Sequence, residues 1–177
     1  DTSAGGSVEL GAGGVLAVDT FLGDLRQQGG TLAPGNSPGL TVIDGDYTVD
    51  SGTLAIEIAG LLRGTSYDAV DVAGTATLGG TLDVQLLDDF GPTLGDAFEI
   101  LSAETIVGAF DLLSLALLPE GLLWDLSYVF DPLGTDFVLL SAAPVPLPPA
   151  GALLLLPLWA LLHRLLVDDL VDAELLF

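Results

Sequence analysis

The stretch that decides the fold begins Gly29-Gly30-Thr31-Leu32, and its phrase returns as Ser51-Gly52-Thr53-Leu54 and as Gly79-Gly80-Thr81-Leu82. A weaker copy, Gly13-Gly14-Val15-Leu16, precedes them. Each copy joins a residue that tolerates positive φ to the start of an alternating apolar run, which is how a turn leads into a strand. The copies recur at uneven intervals. Such intervals fit the coils of a β-solenoid, in which insertions at turns lengthen single coils while the strands stay stacked.

The residues between the copies carry the same mixture of turns and alternating strands. Two prolines and two glycines within residues 33–39 form a turn that no helix can cross. Leu40 and Val42 are expected to lie on one strand and to face the interior of the fold. Residues 53–58 are expected to form another strand, with Glu57 on its outer face. For residues 15–25 we favour strands over one short helix.

Four segments follow from this pattern. Residues 1–28 form a Gly-rich edge segment, 29–140 the solenoid with an aromatic C-terminal cap, 141–149 a proline-rich linker and 150–177 a hydrophobic or amphipathic helical tail. The cap is inferred from the alternation of residues 122–130, which places Trp124, Tyr128 and Phe130 in one phase. The predicted fold class is therefore all-β: a right-handed parallel β-helix with an aromatic cap, followed by a proline linker and a C-terminal α-helix.

Composition excludes several partners. The 177 residues carry 25 Asp and Glu against three arginines, which gives a formal net charge of −22. Nucleic acid is excluded as a partner because phosphate binding needs clustered cations. Divalent cations such as calcium would relieve the repulsion, but the sequence contains neither the glycine-rich nonapeptide series nor the EF-hand pattern. We therefore predict no cofactor; divalent cations such as calcium can bind, but the sequence identifies no specific site for them.

The chain contains no cysteine and no methionine. We expect a fragment or a processed product, and a leader removed before Asp1 would fit an exported protein. A solenoid of this kind gains its stability from stacking and needs no disulfide.

The tail has the spacing of an amphipathic helix, and three interpretations of it stay open. It packs against another copy of the chain, it folds back on its own β-domain, or it contacts a membrane. Residues 150–162 are too short to span a bilayer, and Pro157 interrupts them. We favour contact between copies, and the residues predicted to make it are Leu158, Trp159, Leu161, Leu162, Leu165, Leu166 and Leu170.

Catalysis has little support in the sequence. The single histidine, His163, lies in the tail beside Arg164, which leaves no triad or His-based metal site. Glycosidase chemistry needs only two carboxylates and is the one enzymatic alternative. The available carboxylates include Asp68, Asp71, Asp83, Asp88 and Asp89, of which Asp68 and Asp83 are expected at turns or on the outer face.

The ordered series of phrases resembles the C-terminal part of autotransporter-like passengers and of PEP-CTERM-type bacterial surface proteins. The resemblance spans about residues 29–145 and implies the end of a right-handed parallel β-helix. Val145-Pro146-Leu147-Pro148 resembles the start of the PEP-CTERM sorting tail, which implies a transient membrane anchor. The similarity ends after Arg164, where an acidic run replaces the expected basic cluster. The residues that carry the resemblance lie at 29–39, 45–48, 67–70, 74–84, 95–101, 108–111, 118–122 and 124–128.

Together these observations predict a non-catalytic extracellular structural protein. We expect a self-assembling subunit of a bacterial surface filament or sheath, present as a homo-oligomer or polymer, with the C-terminal helix in subunit contacts. The alternative is a surface-anchored adhesin or exopolysaccharide-binding protein with a membrane-sorting tail. Both alternatives place the protein in the secreted or cell-surface fraction.

Overall fold

The computed structural model describes residues 6–132 and 134–146, and these residues form strands and turns without any helix. Eleven strands make up one continuous sheet. They are β1 (Gly6–Leu10), β2 (Val15–Leu16), β3 (Thr20–Leu32), β4 (Leu40–Asp44), β5 (Tyr47–Ile58), β6 (Ala69–Leu78), β7 (Thr81–Leu86), β8 (Ala97–Gly108), β9 (Leu112–Leu115), β10 (Leu122–Val129) and β11 (Asp136–Pro144).

Four parallel strands close into a ring. The first part of β3, Thr20–Leu22, pairs with β4, and the part from Leu25 onward pairs with β5. In the same way β6 pairs with β4 through Ala69–Val72 and with β5 through Ala76 and Thr77. Each long strand thus changes partner along its length, and the pairings β3–β4–β6–β5 return to β3.

The fold prediction is wrong in its architecture. The all-β class is confirmed, but the described strands form a closed four-stranded parallel barrel with further strands attached, where a right-handed parallel β-helix was predicted. The reason is that bends within β3 and β6, and between β4 and β5, let the strand pairings close on themselves. The C-terminal α-helix predicted for residues 150–177 is not found. Residues 150–177 lie outside the described part of the chain, and the described residues contain no helix.

Aspartates and glycines together make the bends. The Asp24 carboxylate accepts a hydrogen bond from the backbone N–H of Asp46 at 3.0 Å. The Asp46 carboxylate in turn accepts from the N–H of Thr75 at 2.8 Å. A Cβ at Gly45 would lie 2.7 Å from Asp24 Oδ1 and 2.4 Å from the Gly23 carbonyl oxygen, so the close stacking of successive bends requires glycine there.

The repeated phrase forms columns across the parallel strands. Thr31 is paired with Thr53, and Thr53 with Thr81, in register. The leucines that follow them form the adjacent column and point into the core, where Leu32, Leu54 and Leu82 are each 0% exposed. Side chains that alternate by two along each strand therefore fill the interior as stacked rows.

One predicted phase is wrong. In β4 the buried residues are Thr41 and Ile43, where Leu40 and Val42 were expected. The Thr41 hydroxyl donates to the Val18 carbonyl at 2.5 Å and accepts from the Gly35 N–H at 3.1 Å, so its burial leaves no polar group unsatisfied.

The last two strands are antiparallel. β11 pairs with β8, and β10 pairs with β11. Trp124 of β10 packs edge-on against Phe98, with ring centroids 5.9 Å apart. Its indole N–H donates to the Ala116 carbonyl at 2.8 Å. Phe130, expected in the same inward phase, is 60% exposed.

Candidate functional site

The open edges of the sheet are the most distinctive surface feature of the described residues. In the strand order, β9 is a terminal strand that pairs with β7 alone. At the opposite end of the same columns, β2 pairs with β3 alone. We call residues 112–115 the C-terminal edge and residues 15–18 the N-terminal edge.

The C-terminal edge exposes a leucine of the core column. Leu113 occupies the position that follows Leu32, Leu54 and Leu82 in register, yet it is 50% exposed. Leu112, which ends the threonine column, is 65% exposed. Since the buried members of the column have a neighbour on both sides, the exposure of Leu113 reflects a missing neighbour on its outer side.

Backbone groups at this edge alternate in direction. The N–H of Leu112 donates to the Gly80 carbonyl at 3.0 Å, and that of Ala116 donates to the Val84 carbonyl at 2.9 Å. Parallel strands bond to one neighbour through alternate residues. The polar groups of Leu113 and Leu115 therefore face away from β7.

The N-terminal edge is the counterpart. The Thr31 N–H donates to the Gly14 carbonyl at 2.8 Å, and the Ala33 N–H donates to the Leu16 carbonyl at 2.9 Å. The backbone groups of Val15 and Ala17 consequently face away from β3. Val15 is 70% exposed and begins the column that Leu112 ends.

The neighbouring edge of β8 is covered. β11 pairs with residues 97–103 of β8, and the Asp136 carboxylate accepts a hydrogen bond from the Ile106 N–H at 2.9 Å. The Asp136 carboxylate therefore takes up a backbone N–H to which a further strand would otherwise bond. Within the described part of the chain, the two terminal strands of the strand order are paired on one side only: β9, which lies beside β7, and β10, which lies beside β11. Of these, β9 is the strand that ends the columns of the repeated phrase.

A separate groove contains the second feature, a buried carboxylate. The groove has a volume of about 200 Å³, and Asp68, Glu57, Gln85 and residues 33–37 lie along it. Asp68 is 2% exposed, and its two oxygens accept from the N–H groups of Gly39 at 2.6 Å and Glu57 at 2.8 Å. The expectation that Asp68 is a turn or outward-facing residue is thus wrong.

Burial dominates the ionisation of Asp68. Removal from water raises the pKa of Asp68 to about 6, the nearby Glu57 charge adds to the increase, and the two backbone hydrogen bonds oppose it. Both oxygens already accept backbone hydrogen bonds, so the carboxyl group connects the turn that ends at Gly39 to Glu57 of strand β5.

Asp71 lies in an ion-pair network. The Arg63 guanidinium donates to the Asp71 carboxylate at 2.7 Å and lies 3.3 Å from Glu99 Oε1. Ser102 donates a further hydrogen bond to Asp71 at 2.6 Å. Burial by itself would raise the pKa of Asp71, but the bonds from Arg63 and Ser102 and the Arg63 charge lower it below the usual value.

The remaining candidate carboxylates are dispersed. Asp83 accepts a hydrogen bond from Gln85 at 2.9 Å. Asp88 and Asp89 occupy a turn with positive φ values of 53° and 56°. No group of three or more potential metal ligands occurs among residues 6–132 and 134–146.

The predicted contact residues of the tail, from Leu158 to Leu170, lie outside the described residues. Within the part that the structure describes, no helix has the length and apolar character needed to cross a membrane. The tail interpretations stay predictions.

Sequence reasoning missed Val15, Leu112 and Leu113 as surface features. Their signal was present, since Val15 belongs to the weakest copy of the repeated phrase and, like Leu112, stands where the other copies have threonine. No protein-family model matches the chain, and no curated protein is significantly similar to it.

Proposed function

We propose that this chain is a non-catalytic structural protein of the bacterial cell surface that self-assembles into a filament or sheath through its open strand edges. The resemblance of residues 29–145 to bacterial surface proteins supports the location. The use of strand edges takes the place of the C-terminal helix as the means of subunit contact.

The observation that carries this proposal is the interrupted leucine column. Leu82 is 0% exposed and its outward neighbour Leu113 is 50% exposed. An unpaired strand edge with apolar side chains is a template for another strand. Natural edges are often protected by lysine, and this chain has none: its three basic residues are arginines.

Charge sets the conditions for assembly. A net charge of −22 makes copies repel one another at low ionic strength. Salt shortens the range of that repulsion to about 8 Å at physiological ionic strength. Assembly through apolar strand edges should therefore increase with salt, whereas assembly held by ion pairs would decrease.

Light scattering of the full chain over a range of protein and salt concentrations tests the proposal. We expect the mean mass to rise with both. Leu113→Pro should abolish the rise, because proline removes an outward N–H that a second strand needs. The control is Leu94→Pro, which replaces another exposed leucine at the second position of the Thr93–Asp96 turn, where proline is well tolerated. A wild-type chain that stays monomeric under all these conditions would refute the proposal.

The groove beside Asp68 gives the binding-protein alternative little support. The groove beside Asp68 has a volume of about 200 Å³, below the roughly 300 to 1,000 Å³ of typical ligand pockets. Its deepest polar group, Asp68, is already held by two backbone amides. Neither observation favours a sugar site.

A further inference from the structure

The two open edges lie at opposite ends of one set of columns. The column of Val15, Thr31, Thr53, Thr81 and Leu112 is continuous in register. Its inner members are threonines, and its two end members are apolar and 70% and 65% exposed. Both ends of the column are therefore exposed and apolar, whereas its middle consists of threonines.

The outward backbone groups of the two edges are complementary. At the N-terminal edge, Val15 and Ala17 present their N–H and C=O groups to the outside. At the C-terminal edge, Leu113 and Leu115 do the same. In a parallel ladder with the register of β7–β9, the Leu113 N–H donates to the Val15 carbonyl of a second copy and the Ala17 N–H of that copy donates to the Leu113 carbonyl.

From this geometry we infer that the partner of β9 is a second copy of the same chain, docked head to tail with its residues 15–18 beside residues 112–115. This inference rests on the proposed function and specifies its contact. A head-to-tail contact that does not close into a ring leaves one open edge at each end of the assembly and produces an open filament. A β9-to-β9 contact would instead close a two-fold dimer.

The contact is small. Four residues from each copy bury well below the roughly 1,200 Å² of a stable protein interface, so each contact is weak and assembly depends on concentration. The β8 edge does not add to it, because β11 and Asp136 already occupy that edge.

Two complementary proline variants test the arrangement. Leu113→Pro blocks the C-terminal edge and Val15→Pro blocks the N-terminal edge. Each variant replaces a residue whose N–H faces away from the neighbouring strand of the same chain. Alone, each variant should stay monomeric. Mixed in equal amounts, they should form a discrete dimer and nothing larger, since one open edge of each kind remains. Circular dichroism and unfolding midpoints check that both variants fold as the wild type does.

Other outcomes overturn the inference. Dimerisation of Val15→Pro alone would show that β9 pairs with β9. Assembly of both single variants as in the wild type would place the contact elsewhere, including residues 147–177. A mixture that stays monomeric while the wild type assembles would contradict head-to-tail docking and leave the proposed function standing.

A charge pair gives a second test without changing the backbone. Head-to-tail docking places Val15 of one copy beside Leu112 of the next, and both side chains are exposed in the single chain. The double variant Val15→Glu with Leu112→Glu should need a higher concentration to assemble than Val15→Lys with Leu112→Glu. Equal behaviour of the two double variants would contradict the register.

Discussion

Asp68 shows how burial changes the chemistry of one residue. Its carboxyl group is held between the N–H groups of Gly39 and Glu57, and burial raises its pKa to about 6 from its ordinary value of 3.8. The folded chain therefore binds this proton more tightly than the unfolded chain. The contribution of Asp68 to the free energy of unfolding is fullest below pH 4 and declines as the pH rises through about 6.

Asp68→Asn should remove this pH dependence. The amide cannot accept both backbone hydrogen bonds, so the variant is less stable at every pH, but the difference from wild type should shrink by about 2 to 3 kcal/mol as the pH rises from 4 to 7. Urea unfolding of the wild type and of Asp68→Asn across this pH range measures the difference in their free energies of unfolding. A difference that does not change with pH would show that Asp68 is ionised normally in the folded chain.

Gln27 is the second residue whose polar groups are buried. It is 0% exposed, and its amide nitrogen donates to the carbonyls of Gly30 at 3.1 Å and Thr53 at 2.9 Å. The Tyr47 hydroxyl donates to its amide oxygen at 2.8 Å. The β3–β5 pairing shifts register beside Gln27, and the side chain bonds to backbone groups at that irregularity.

We expect Gln27→Leu to lower the free energy of unfolding by about 2 to 4 kcal/mol, because it leaves buried hydroxyl and carbonyl groups without partners. The matched control is Gln85→Leu, at an exposed position on β7, which should change stability by less than about 0.5 kcal/mol. Chemical denaturation compares the two. Equal effects would contradict the role assigned to Gln27.

At the scale of elements, the bends decide the barrel. At Gly45 and at Gly74 a glycine packs against the bend before it, and an aspartate from that earlier bend accepts a backbone hydrogen bond. The strands beyond the barrel differ in their edges: β8 is covered by β11, while β9 has an open edge in the described structure.

Gly45→Ala tests the bend. A Cβ would lie 2.4 Å from the Gly23 carbonyl oxygen, so the backbone must move, and we expect a loss of about 1 to 3 kcal/mol in the free energy of unfolding. Gly11→Ala is the control, since nothing lies within 4 Å of the Cβ position there. Thermal or urea unfolding distinguishes them, and a neutral Gly45→Ala would show that the bends are loosely packed.

The sequence predicted the parts of the fold that depend on local pattern. The repeated phrase located the strands and the leucine column, because a period of two and turn residues are local signals. Ring closure and the antiparallel β10–β11 pair could not be predicted this way, since they depend on which distant strands bond to each other. Thr41 and Asp68 are buried for the same reason: their hydrogen-bond partners come from segments far along the chain.

For the whole molecule, acidity and open edges act in opposite directions. The net charge of −22 keeps copies apart, and the apolar ends of the columns bring them together. The site proposed from sequence lies in the tail, outside the described residues, whereas the edges were found only when the strand order was known.

Hydrogen exchange of the backbone amides in dilute and assembled samples tests whether copies pair through their strand edges. We expect the outward amides of Leu113, Leu115 and Ala17 to exchange rapidly in dilute protein and to become protected together on assembly. Protection of Leu113 and Leu115 without Ala17, or of none of them in assembled protein, would contradict this pairing.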